Sequence, residues 1–252
     1  MINANPQLIT NELLEKLIPS IESGENLLGD FGLRVVRREA KKIPDAYQSL
    51  LVTGLAEIVG ENFEEALQIH QTLTHMNPFN DSVWVNFSVA LGQKCQFKIA
   101  REISLNSIPF VGISGLCHAF LNAGYWADLD TMLLIKKQGL FSSYNPASFT
   151  DKQRGDILRC EAILNELLKD EEEATYLSRM ALLVMQIAET RLLPPKQSSI
   201  HTDAEGMLIF SYGITSEHAD MLWKINDELA SLIVDHQLFS SNSIATFHMI
   251  GA

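Results

Sequence analysis

Through most of the first 193 residues, apolar side chains recur every three or four positions, the spacing of amphipathic helices. Ile9, Leu13, Leu14, Leu17 and Ile18 form the first such stripe, with Asn11 as a candidate cap. Gly24, Gly29 and Gly32 then interrupt the chain. The next helix is expected over about 33–43, ending where Pro44 disfavours helical conformation in the residue before it. After residue 206 the period changes: Leu208, Phe210, Tyr212 and Ile214 alternate with Met207, Ile209 and Ser211, which predicts a strand over 207–214. Thr215 or Ser216 offers a cap for a helix reaching about His236, with Leu222, Ile225, Leu229, Leu232 and Ile233 on one face. A second strand is expected over 243–250. Between the two regimes, Arg191 to Gly206 carries two prolines and a polar, turn-forming run.

The fold class expected from this pattern is mainly α: an antiparallel helix-pair array over 1–193, a linker over 194–206, and a small C-terminal β-α-β appendage over 207–252. The crossover of that appendage is right-handed if its strands are parallel. Both strands are apolar on both faces and too few to stand alone. The helical array, a second copy of the chain or a partner must cover them. The expectation is an exposed edge completed by another chain, with a homodimer through the C-terminal strands as one form of it.

Within the helical region a repeat emerges. Gly54, Phe63, Ala66, Leu73 and Pro78 follow one another at spacings partly repeated by Ser88, Phe97 and Ala100, with Trp84 opening the second window. Two antiparallel helices approach closely only where their crossing carries a small residue such as Gly or Ala, flanked by larger groups. This spacing resembles the tetratricopeptide repeat, whose period is about 34 residues. The resemblance is clearest over 47–80 and 81–114, and weaker over 155–188, where Ala162, Ala174 and Ala181 repeat it. Phe110 to Leu140, with Gly124, Tyr125 and Trp126 near its turn, reads as a degenerate helix pair.

The resemblance implies that the first helix of each pair lines a concave groove. Its lining here is Gln48, Leu51 and Leu55 from the first repeat and Ser82, Val85, Asn86 and Val89 from the second. The family's clamp for peptide carboxylates needs Lys and Asn at such places, and these residues are mostly aliphatic. An apolar groove suits an amphipathic helix or an extended apolar segment. The competing reading is that the aliphatics are buried against neighbouring helices.

Charge narrows the choice of partner. The formal net charge of −12 argues against general binding to nucleic-acid backbones. One stripe is basic: Arg34, Arg37, Arg38, Lys41 and Lys42 share a helical face. It reads either as a solvated face paired with the acidic surface or as a contact for an acidic peptide or nucleic acid. Three scattered cysteines, Cys95, Cys117 and Cys160, give no disulfide framework and are expected as buried thiols in a reducing compartment. No signal peptide is apparent and no apolar run approaches the ~20 residues of a membrane span. A cytoplasmic location with no membrane association is expected.

Candidate chemistry is sparse. His70 and His75 are five apart, off the i, i+4 spacing of a helical zinc pair. Cys117 and His118 are sequence neighbours that cannot face each other on a helix. Phosphate-binding glycine motifs and the nucleophile elbow do not occur. The acidic run Asp170 to Glu173 suits the dipole of a helix N-terminus. No catalytic, metal-binding or cofactor-binding residue is expected. The leading functional expectation is a non-enzymatic adaptor for an unidentified protein partner. The alternative is a dedicated chaperone, antitoxin or immunity-type protein that masks one cognate, basic client. An enzyme or nucleic-acid-binding regulator is the third reading.

Overall fold

A computed structural model describes residues 6–138 and 151–250, including all but a few of their side chains. Its contacts divide the chain into two compact units, Met1–Gly115 and Leu116–Ala252. The first holds α1 (Pro6–Ser23), α2 (Gly29–Ala40), α3 (Ala46–Val59), α4 (Phe63–Met76), α5 (Asp81–Gln93) and α6 (Phe97–Ser107). Helix α1 begins upstream of Asn11, which is therefore not its cap, and α2 runs a few residues earlier than expected. Gly24 and Gly29 break the chain with φ of 74° and 63°.

Helix α3 is the centre of this unit. It packs against α1, α2, α4 and α5, and Leu51, Val52, Leu55, Ala56, Ile58 and Val59 are all buried. A helix apolar all round is stable only when surrounded. Gly54 lets this happen: a Cβ there would lie 2.5 Å from Phe87 Cζ of α5 and 2.9 Å from Ile69 Cγ2 of α4. Ala66 is fully buried on α4. In the second pair, Ser88 of α5 is buried and its hydroxyl donates to the carbonyl of Ala100 on α6 at 2.9 Å. The polar residue standing where the first pair has Gly54 thus satisfies its own hydroxyl at the helix contact.

The turns between paired helices repeat as well. Glu61, Cys95 and Ala127 have φ of 62°, 57° and 55°, and Leu192 and Gln237 adopt the same left-handed conformation. In each case the following amide donates back across the turn: Asn62 to Glu57, Gln96 to Leu91, Asp128 to Ala123, Leu193 to Ala188 and Leu238 to Ile233. This is the C-terminal capping bond that recovers an orphan helix carbonyl. The position usually belongs to Gly, and none of these five residues is one.

The second unit contains most of α7 (Ile113–Tyr125), then α8 (Leu129–Lys137), α9 (Asp151–Leu167), α10 (Glu171–Thr190), β1 (Gln197–Thr202), β2 (Leu208–Ile214), a 3₁₀ turn (Ser216–Met221), α11 (Leu222–Asp235) and β3 (Ser243–Met249). Helices α7 and α8 fall within the expected degenerate pair, whose last two residues lie outside the described ones. Gly124 of α7 sits against α9, where a Cβ would meet Cys160 Sγ at 2.8 Å. Ala162, the small residue expected at a crossing, is exposed instead. Asp170 caps α10 by accepting from the Glu173 amide at 3.1 Å.

The sheet has the order β1-β2-β3, with β1 antiparallel and β3 parallel to β2. Ile200, Phe210, Tyr212, Ala245 and Phe247 are buried, and α10 packs against β2 and β3. Two expectations change here. The segment 194–206 is not simply a linker, because it contains β1. The apolar strands are covered by this chain's own α10, so burial of that face does not require another chain.

Two substitutions at the first helix pair separate close packing from backbone strain. Gly54→Ala gains about 1 kcal/mol of helix propensity but drives a methyl into a fully buried ring, for a net loss of about 1–3 kcal/mol. Glu61→Gly relieves about 1–2 kcal/mol of left-handed strain but removes the carboxylate 3.0 Å from Lys94, whose side chain is only 7% exposed, so the two effects offset in large part. Thermal denaturation should show a clear fall for the first and a smaller change for the second. Equal midpoints for Gly54→Ala and the native chain would remove close packing as the reason for that glycine.

Candidate protein-binding surfaces

Helix α1 decides what remains of the expected groove. It packs on both α3 and α5, the first helices of the two clearest pairs. Leu13 and Leu17 enter the same core as Leu51 and Leu55, which is 1% exposed. Leu51 and Leu55 are therefore not available along their length, as the competing reading held. Gln48 and Val85 are half-buried and Ser82 is exposed. The lining is not wholly closed. Leu14, Ile18, Ile21 and Glu22 of α1 face Leu55, Asn86 and Val89 across a cleft of about 260 Å³. Ile18 and Val89 remain 45% and 38% exposed at its rim.

The contribution of α1 was not assigned to the groove from sequence. Its signal was present in the width of the apolar stripe. Leu13 and Leu17 suffice for the core, and Leu14, Ile18 and Ile21 form a second row at spacings of four and three.

The basic stripe separates into different environments. Arg37 reaches past Gly60, whose Cβ would lie 2.6 Å from Arg37 Nη2, and pairs with Glu57 at 2.6 Å. Glu57 is 9% exposed and also accepts from Asn62 Nδ2 at 2.7 Å. This is an interior strut between α2, the end of α3 and the following turn. Arg38 and Lys42 both lie on Glu39, at 3.1 and 2.7 Å, and hold its carboxyl below the usual range, Lys42 more than Arg38. Arg34 and Lys41 are exposed.

The two histidines of the 61–84 segment also differ. His75 is exposed. His70 is buried, 5.0 Å from the ring centres of both Trp84 and Phe87, and its Nε2 has no hydrogen-bond partner. It is a core residue, and burial pushes its pKa down to about 4. Trp84 closes the joint by donating Nε1–H to the Pro78 carbonyl at 2.8 Å and stacking on Phe110. In the second unit, burial pushes His118 down to about 4 and the neighbouring Cys117 thiol up to about 11. Among the described residues no three potential ligands gather into a metal site.

His70 makes the first unit acid-sensitive. Its imidazole protonates in the unfolded chain below pH ~6.5 and stays neutral in the folded one down to about 4. Stability therefore falls as pH drops through that window, by roughly 3 kcal/mol at most. His70→Phe keeps the ring and should flatten this loss in denaturant titrations of the full chain. An unchanged pH slope would assign the effect elsewhere. For the strut, Arg37→Met strands a buried carboxylate and should cost about 3 kcal/mol, while Arg37→Met/Glu57→Leu should recover most of it. Arg38→Glu, on an exposed side chain, should change stability by less than about 1 kcal/mol in the same assay.

Compared with protein-family models, with curated proteins and with solved structures, the chain matches none.

Proposed function

We propose that this chain is a non-enzymatic protein-binding adaptor that receives an amphipathic helix in the cleft between α1 and α5. The observation that carries the reading is the convergence of Leu14, Ile18, Ile21 and Val89 on one open apolar surface above the buried Leu55, with Asn86 and Glu22 as its polar members. A row of aliphatics at helical spacing offers ridges and grooves into which another helix fits. The tetratricopeptide-like reading is supported by two adjacent helix pairs, each with a small residue at its contact. The left-handed residues Glu61 and Cys95 stand one family period apart. Stacked helix pairs build extended surfaces suited to such binding.

The net charge of −12 favours a narrower second reading, a dedicated mask for one basic client. Under it the same cleft supplies the apolar contact and the surrounding acid supplies the rate and the salt dependence of association.

Affinity capture from native extract, followed by calorimetry with the identified partner, tests both. Val89→Asp and Ile18→Asp change exposed side chains and should weaken binding at least tenfold without lowering the melting temperature, whereas Arg38→Glu should not change affinity. An affinity indifferent to both cleft variants would remove the cleft from the binding surface. Weakening by high salt would select the basic-client form.

A further inference from the structure

The sheet of the second unit has two edges, and they are treated differently. At β3, Asn226 of α11 donates Nδ2–H to the Phe247 carbonyl at 3.0 Å and accepts the Phe247 amide at 2.9 Å. One side-chain amide thus occupies the place of a neighbouring strand, which blunts the edge. At β1 the outward side has no paired strand among the described residues. The Asp203 amide donates to the Met207 carbonyl at 3.0 Å, which places the hydrogen-bonded pairs of the β1–β2 ladder at odd-numbered residues. The Leu208 amide donates to Asn242 at 2.7 Å, so the even residues of β2 face β3 and agree with this assignment. The amides and carbonyls of Ser198, Ile200 and Thr202 therefore point away from β2, and among the described residues β1 pairs with β2 alone.

Beside this edge runs a groove of about 440 Å³, with α9 as its other wall. Its end is closed where Glu166 accepts from Thr202 Oγ1 at 2.8 Å and from Lys169 at 2.7 Å. Those bonds, Lys169 first, hold the Glu166 carboxyl below its usual range and satisfy it. The rest of the helix wall is Arg159, Ala162 and Ile163, where Arg159 and Ala162 are exposed. In a chain of net charge −12, this wall presents a cation beside a small apolar floor.

We propose that the groove takes an extended segment of a partner protein, which pairs with β1 as a fourth strand and carries an acidic side chain for Arg159. Unpaired backbone at Ser198, Ile200 and Thr202 suits an extended partner, since a strand matches a row of amides and carbonyls at its own repeat. The wall specifies the partner further: beyond the Glu166–Lys169 pair its exposed members are Arg159 and Ala162, so the segment that fits carries Asp or Glu near a small or branched aliphatic residue. This site is independent of the cleft in the first unit and goes beyond it.

The test uses the full chain and a displayed library of random 12-residue peptides. Enriched sequences should carry an acidic residue close to an aliphatic one. For the best synthetic peptide, Arg159→Glu should lower affinity at least tenfold with an unchanged melting temperature. At saturation, amide exchange at Ser198, Ile200 and Thr202 should slow at least tenfold, while Ser199 and His201, already bonded to β2, stay as they were. Failure to enrich any peptide overturns the proposal. So does a peptide whose affinity ignores Arg159→Glu or which leaves the three amides unprotected. Protection of the same amides that rises with protein concentration alone assigns the edge to a second copy of the chain and overturns it too.

Discussion

The helical core depends on one close approach. At Gly54 the backbone of α3 comes so near Phe87 and Ile69 that a single methyl group has no room. Because α3 is buried from Gly54 to Val59 and four helices pack on it, its position sets those of α1, α2, α4 and α5 together. Phe87, packed over Gly54, also forms one wall of the site that holds His70, and Trp84 forms another. The Trp84 indole in turn pins the loop at Pro78. Interiors at crystalline density transmit such constraints because neighbours cannot absorb them by small shifts.

Polar groups inside this unit follow the same logic of satisfied neighbours. Glu57 is tolerated in the interior because Arg37 and Asn62 both bond its carboxylate. Ser88 is tolerated at a helix contact because a carbonyl on α6 receives its hydroxyl proton. The imidazole of His70 has no such partner, and neutrality is its way of remaining buried. Charge that looks like a surface signal in one dimension can therefore be architecture, as with Arg37, or local neutralisation, as with Arg38 and Lys42 on Glu39.

The surfaces left over are defined by what the chain does not use to cover itself. Helix α1 spends Leu13 and Leu17 on the core and leaves Ile18 beside an open cleft. The sheet commits one face to α10 and one edge to Asn226, leaving the backbone of β1 beside α9. The two surfaces differ in kind, one apolar and helical, the other a row of backbone donors and acceptors.

The periodicity of the residues determined the helices, the two apolar strands and the small residues that mark the first helix contact, Gly54 and Ala66. These depend on local spacing and on side-chain volume, both of which are written along the chain. Asp170 was equally legible, because a capping carboxylate acts within one turn. Strand β1 was not: QSSIHT is short and polar, and only pairing with β2 makes Ser198 and Ile200 inward-facing. Nor were the left-handed turns at Glu61, Cys95 and Ala127, since packing on both sides imposes a conformation that only glycine would announce. The placement of α1 over α3 and α5, and the pairing of Arg37 with a carboxylate twenty residues away, were decided by tertiary structure alone. An amphipathic pattern says that a face is buried, not which partner buries it, because hydrophobic burial has no direction and an ion pair has no fixed sequence separation.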